Sequence, residues 1–195
     1  MNPRLDALRS IAALVPPGSR VLDLGCGDGA LLQLLIHDRQ CRGQGIEIDG
    51  DAVVACVSKG LEVFQGDIEK GLAGQPDRGF DVVILNQSVQ ELRKVDAVLL
   101  DALRVGRQVV VGFPNFAHWS VRLQVTVFGR TPVTPGLPFE WFETPNLHFF
   151  SLKDFEYWCG LRGVRITARL FLDGGRKVHV FPNFFARDGV YLIER

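Results

Sequence analysis

The chain has 195 residues, a formal net charge of zero, 47% hydrophobic and 23% charged residues, which is ordinary globular usage and enough for one domain over residues 1–195 with a sizeable core. No basic block marks a nucleic-acid partner, and no apolar run nears the roughly 20 residues of a membrane span. Residues 1–6 lack the apolar core of a signal peptide, so a cytoplasmic location is expected.

Leu5, Leu8, Ile11, Ala12 and Val15 recur at helical spacing and predict a first helix over residues 3–14, stopped by Pro16-Pro17-Gly18. A first strand, Arg20 to Leu24, is followed by a helix from about Gly29 to His37. Strand two is Gln44 to Ile48, and Asp49 is suited to cap a helix from Asp51 to Ser58. Strand three is Leu61 to Gln65. After a loop at Pro76 to Gly79 comes strand four, Phe80 to Leu85, nearly all apolar after Asp81 as a strand buried on both faces should be. Val95 to Val105 reads as a helix and Gln108 to Phe113 as strand five. Residues 114–150 hold Pro132, Pro135, Pro138 and Pro145 and many aromatics, too long for a plain connection, and read as an insertion lying over the carboxyl edge of the sheet. Ser151 with Asp154 starts a helix from Leu152 to Leu161. Val164 to Leu172 and Val190 to Glu194 are the last strands, an antiparallel pair joined by a loop containing Pro182-Asn183. The expected fold is α/β, a doubly wound, seven-stranded and mostly parallel sheet.

The turn after strand one, Asp23-Leu24-Gly25-Cys26-Gly27-Asp28-Gly29, delivers bare backbone and a helix N-terminus to a ligand. Gly25-x-Gly27-x-x-Ala30 also satisfies the dinucleotide fingerprint, a weak match when taken alone. Three further features discriminate. Asp23 would repel a pyrophosphate but attract the ammonium of an amino-acid-like ligand. Glu47 ends strand two, 22 residues after Gly25, where a carboxylate accepts from both ribose hydroxyls. Gly66-Asp67-Ile68 follows strand three, with Asp67 placed to accept from an exocyclic adenine amine and Ile68 to lie on a ring face. Together these describe S-adenosylmethionine or its product S-adenosylhomocysteine. The expected cofactor-binding residues are Asp23, Gly25, Cys26, Gly27, Glu47, Ile48, Gly66, Asp67, Ile68 and Asn86. Asp28 and Asp49 read as turn and capping residues instead. A buried ionised Glu47 would be costly without a partner, which favours a ligand role for it.

The set D-x-G-x-G, an acid ending strand two and G-D-I after strand three resembles the class I methyltransferase fold, which is Rossmann-like. Asn86 and Gln87 stand where they can meet the methionyl part of such a cofactor. No base stands out by spacing among His118, His148, His179, Glu91 and Glu143, so the catalytic residues are unknown. The aromatics Phe116, Trp119, Trp141 and Phe142, with His118, are read as packing residues 114–150 onto the sheet. The alternative is a lid over a substrate pocket or a docking surface. Cys26, Cys41, Cys56 and Cys159 form no C-x-x-C pair, signal neither a metal nor a redox site, and read as small apolar core residues.

A closer resemblance lies in Val21 to Gly29, Gly45 to Asp49 and Asn86 to Gln90. It extends through Gly112-Phe-Pro-Asn-Phe116 with Trp119, Pro132 to Thr134, Trp141 to Asn146 and Phe181-Pro-Asn-Phe184. Over nearly its whole length the chain resembles the MetW family of methionine-biosynthesis proteins. That resemblance implies S-adenosylmethionine or S-adenosylhomocysteine binding in support of homoserine O-acyltransferase, the partner that acylates homoserine. The other reading it leaves open is an active small-molecule methyltransferase.

Overall fold

The computed structural model describes residues 3–70 and 72–195. Helix α1 (Pro3–Ala12) leads into strand β1 (Arg20–Leu24), helix α2 (Ala30–Arg39), strand β2 (Arg42–Glu47), helix α3 (Gly50–Ser58) and strand β3 (Glu62–Gln65). Strand β4 (Phe80–Asn86), helix α4 (Val95–Val105) and strand β5 (Gly106–Pro114) follow. The rest of the chain comprises helices α5 (Trp119–Phe128) and α6 (Leu152–Arg162), strands β6 (Arg165–Asp173) and β7 (Arg176–Lys177), helix α7 (Pro182–Phe185) and strand β8 (Asp188–Glu194).

The sheet order is β3-β2-β1-β4-β5-β8-β6-β7. The pairings from β3 to β5 are parallel, whereas β8 is antiparallel to both β5 and β6. The alternation of side chains along each strand sends two apolar sets to opposite faces. Leu22, Leu24, Val83, Leu85, Val109 and Val111 meet α4 and α6 on one face. Val21, Val82, Ile84, Val110, Val190 and Leu192 meet α1 and α2 on the other. The sheet is therefore doubly wound, as expected from its apolar strands.

Among the described residues the sheet has eight strands rather than seven. The extra strand, β7, pairs with β6 through Leu172↔Lys177 and Asp173↔Arg176. Gly174 and Gly175 between them have φ of 55° and 84°, the all-positive pair a two-residue hairpin turn requires. The expected caps hold: Asp49 accepts from the Asp51 amide, and Ser151 and Asp154 form a reciprocal capping box.

Two expectations about the later chain need correction. Residues 182–185 are a short helix rather than plain loop. Residues 114–150 contain α5, whose Val-rich sequence hid it. Its ends are set locally, by His118 accepting from the Ser120 amide at the start and by Gly129 at φ 59° at the end. The insertion is tied to the carboxyl side of the sheet, where the Leu147 and His148 amides donate to the Gln90 carbonyl, and it is closed on itself by the Phe116 amide, which donates to the Phe150 carbonyl.

The aromatics of this segment do not serve mainly to fasten it. Phe116 does meet the Phe149 ring edge-on at 4.6 Å. Trp119, Trp141 and Phe142 are exposed, Trp141 at 69%.

Candidate functional site

Strand order reverses between β1 and β4: the chain leaves β1 toward β2 and β3, then returns to build β4 and β5 on the other side. The loops leaving the carboxyl ends of β1 and β4 thus part company, and a crevice opens between them. A cleft of about 1190 Å³ lies there. It gathers all ten expected binding residues, from Asp23 and the Gly25–Gly27 turn through Glu47, Ile48, Gly66, Asp67 and Ile68 to Asn86.

The floor of the cleft is the glycine turn. Gly25, Gly27 and Gly29 have φ of 74°, 53° and 73°. At Gly25 a side chain is barred twice, by this left-handed φ and because a Cβ would lie 2.9 Å from that of Ser88. Ser88 is in turn fixed by its hydroxyl, which donates to the Leu24 carbonyl at 3.1 Å. The bare turn therefore lets the loop after β4 close against the loop after β1 at the switch point.

Glu47 is only 9% exposed, and its carboxylate is already occupied on one side. Oε2 accepts from the Gly27 amide at 2.7 Å, and Oε1 from the amides of Ile48 at 2.8 Å and Asp49 at 3.0 Å. The cost of burying this charge is thus met by backbone donors, which corrects the inference that burial alone demands a ligand. Oε2 keeps lone-pair capacity toward the cleft. Glu47 also locks the second glycine of the turn to the end of β2.

Asp23 is 2% exposed. Burial, reinforced by the nearby Glu47 carboxylate, pushes its carboxyl up to about 7. A cationic group seated in the cleft would favour the ionised form of Asp23. Asp67 accepts from the Glu69 amide at 2.9 Å and so opens the 3₁₀ turn Ile68–Lys70. Ile68 is buried in the core behind the cleft, whereas Ile48 is exposed on its rim. Cys26 is buried with the other three cysteines, and all four are free thiols.

At the β4 side, Asn86 is opposite Gly112 in the ladder, and a Cβ at Gly112 would run into the side-chain oxygen Oδ1 of Asn86. Gln87 holds φ at 61°, unusual for a residue with a side chain. Its amide donates to the Gly112 carbonyl at 2.7 Å and its Nε2 to Asp188 at 3.1 Å. Burial pushes Asp188 up to about 6, with that hydrogen bond opposing the rise.

Arg187 and Asp188 line the cleft and were not singled out in the sequence, where β8 was expected to start at Val190. An acid directly before an apolar strand was their only local signal. Of the five candidate bases only Glu91 lines the cleft. His118, 3% exposed, caps α5 instead, and burial holds its imidazole below its usual range. Gly174 and Gly175 of the hairpin and Pro135 and Gly136 of the insertion close the far wall.

The model of the family described as methionine biosynthesis protein MetW matches residues 4–193. The chain belongs to the MetW family. A bifunctional methionine biosynthesis protein MetXA/MetW of Rhodopirellula baltica is 36% identical over 184 residues, covering 89% of this chain. The chain spans only 29% of that relative's length. A ribosomal protein L11 methyltransferase of Burkholderia mallei is 34% identical over 98 residues, covering 50% of this chain and 32% of that protein.

Among solved structures, a SAM-dependent methyltransferase of Archaeoglobus fulgidus superposes with a TM-score of 0.73 at 15% identity, covering 100% of this chain and 95% of that one. A magnesium protoporphyrin IX methyltransferase of Synechocystis, solved with bound S-adenosylhomocysteine, gives 0.71 at 16% identity over 99% and 84%. These likenesses establish for this MetW chain the class I methyltransferase fold. No helix among the described residues is long and apolar enough to cross a membrane.

Proposed function

We propose that the cleft binds S-adenosylmethionine or S-adenosylhomocysteine, and that the protein acts with homoserine O-acyltransferase in the acylation of homoserine. The observation that carries the binding half is convergence. Ten residues chosen for an aminoacyl-nucleoside come from the ends of four separate strands and line one cleft at the switch point. In this reading the glycine turn admits the ligand to bare backbone, and Glu47 accepts from the ribose. Asp23 faces the amino-acid cation, and Asp67 with Ile68 receives the adenine. The partner half is supported by the Rhodopirellula relative, which joins MetXA and MetW in one chain.

A second reading, a small-molecule methyltransferase, is favoured by the β4–β8 end of the cleft. There Glu91 and Asp188 offer carboxylates near Asn86 and Gln87, and the cleft exceeds the upper end of ordinary ligand pockets, about 1,000 Å³. A bound cofactor would supply the methyl group; these residues would orient an acceptor and take its proton.

Calorimetry tests the binding half: saturable binding of S-adenosylhomocysteine is expected, and none at millimolar ligand overturns it. Release of S-adenosylhomocysteine on incubation with S-adenosylmethionine and a metabolite extract would replace the first reading by the second.

A further inference from the structure

We propose that the apolar surface formed by α5 and α7 is the docking face for the acyltransferase; this rests on the partner half of the reading above. Helix α5, Trp-Ser-Val-Arg-Leu-Gln-Val-Thr-Val-Phe, has one charged residue in its 10, Arg122, and buries only Val121. Trp119, Leu123, Val125, Val127 and Phe128 are all exposed. Six of its ten residues are apolar, and five of those six face water where an amphipathic helix would turn its apolar residues onto the core. Nor is it a helix that stands by itself, since isolated helices below about 12–15 residues are marginal and its β-branched Val and Thr are weak helix formers. Its apolar surface therefore calls for cover from outside the chain.

The face continues onto α7. The Arg122 guanidinium lies over the Phe184 ring, 5.5 Å from its centroid, and Nη2 reaches the Asn183 carbonyl at 3.5 Å. Phe184 and Phe185 meet edge-on at 4.9 Å, and both are exposed, as is Phe181. The two Pro-Asn-Phe motifs hold this arrangement together. Asn115, in the first, donates from Nδ2 to the carbonyls of Asn183, in the second, at 3.3 Å and Ala186 at 2.8 Å. Gln124 exchanges two hydrogen bonds with the Val133 backbone, each 2.9 Å. The face is thus preformed, which lowers the ordering cost of binding.

Its area suits a protein. The rings of Trp119, Phe128, Phe181, Phe184 and Phe185 are about half exposed. At about 150–250 Å² per buried aromatic they offer on the order of 500 Å², most of the roughly 800 Å² one partner contributes to a standard interface. A bilayer is a poor match, because interfacial helices carry a Lys/Arg-rich polar face and α5 has a single Arg. The acyltransferase is favoured over a second copy by the Rhodopirellula relative. A match over 89% of this chain necessarily runs through residues 114–150, so the relative that carries MetXA in the same polypeptide also carries this segment. Linkage of that kind holds two surfaces together at roughly millimolar effective concentration.

The test uses the full chain and the purified homoserine O-acyltransferase of the same organism, followed by sedimentation velocity and calorimetry. Two variants, Leu123→Glu with Phe128→Glu on α5 and Phe185→Glu on α7, change exposed positions only. The wild-type chain is expected to form a complex that each variant weakens by about 100-fold, with unfolding temperatures and S-adenosylhomocysteine affinity unchanged. Variants that bind as the wild type does overturn the docking face and leave the partner reading intact. A wild-type chain that forms no complex overturns both. If the chain alone is a dimer that the variants dissociate while acyltransferase binding persists, the face belongs to a second copy and the proposal fails.

Discussion

The glycine turn after β1 and helix α5 are both short segments at the carboxyl edge of one sheet, and they are finished in opposite ways. Around the turn the chain supplies its own partners: Glu47 takes three amides, Ser88 ties Leu24, and a single added Cβ at Gly25 or Gly29 meets a neighbour. Around α5 polar groups are partnered, but the apolar ones are left in water. The difference teaches that the first region satisfies its own polar and steric demands within the chain. The second leaves its apolar side chains to water.

The sharpest way to break the first region is Glu47→Ala. Three amides at the end of β2 and in the turn lose their acceptor, and stability should fall by about 3 kcal/mol in a denaturant titration. S-adenosylhomocysteine binding should disappear from calorimetry in the same variant. An unchanged denaturation midpoint would mean that water replaces the carboxylate freely and that the turn is not held by it.

Gly29→Ala comes next. Its Cβ would lie 2.5 Å from Leu61 Cδ1 and 2.8 Å from Cys56 Sγ, at a φ of +73°. Left-handed strain and overpacking together should cost about 2–3 kcal/mol. Gly27→Ala, with nothing within 4 Å of the new Cβ, should cost about 1 kcal/mol, the strain alone. Equal losses at the two sites in thermal unfolding would contradict the crowding found here.

A pH titration sharpens the electrostatics. In the ligand-free protein Asp23 holds a proton up to about 7 and must release it to face an ammonium. Up to about pH 8, where the ligand's own ammonium begins to lose its proton, affinity for S-adenosylmethionine should therefore level off above about 7 and fall about tenfold per unit below it, about 1.4 kcal/mol each. Asp23→Asn should bind more weakly with a flat profile, and a flat wild-type profile would remove Asp23 from the ligand. The smallest effect belongs to α5. Val127→Glu should move the unfolding free energy by less than about 0.5 kcal/mol, as surface changes do. A loss of about 2 kcal/mol would show that α5 is packed into the chain's own core.

The sequence by itself determined the strands from β1 to β5, the helices between them and the residues at their carboxyl ends. Those features are local: apolar runs, glycine spacing, and caps such as Asp49 and Ser151 act within a few residues. It also determined which ten residues to collect, because strand ends in a doubly wound sheet all point to one edge. Only the tertiary structure decided what those residues do to one another. Three backbone donors satisfy Glu47, burial with Glu47 nearby raises Asp23, and Gly27 lies 20 residues from the carboxylate it binds. Arg187 and Asp188 reach the cleft because β8 runs antiparallel beside β5, a pairing across the whole C-terminal half. The fate of the aromatics in residues 114–150 was beyond local pattern for the same reason. Burial is a property of what lies above a side chain, and no spacing within α5 tells whether its cover comes from this chain or from another.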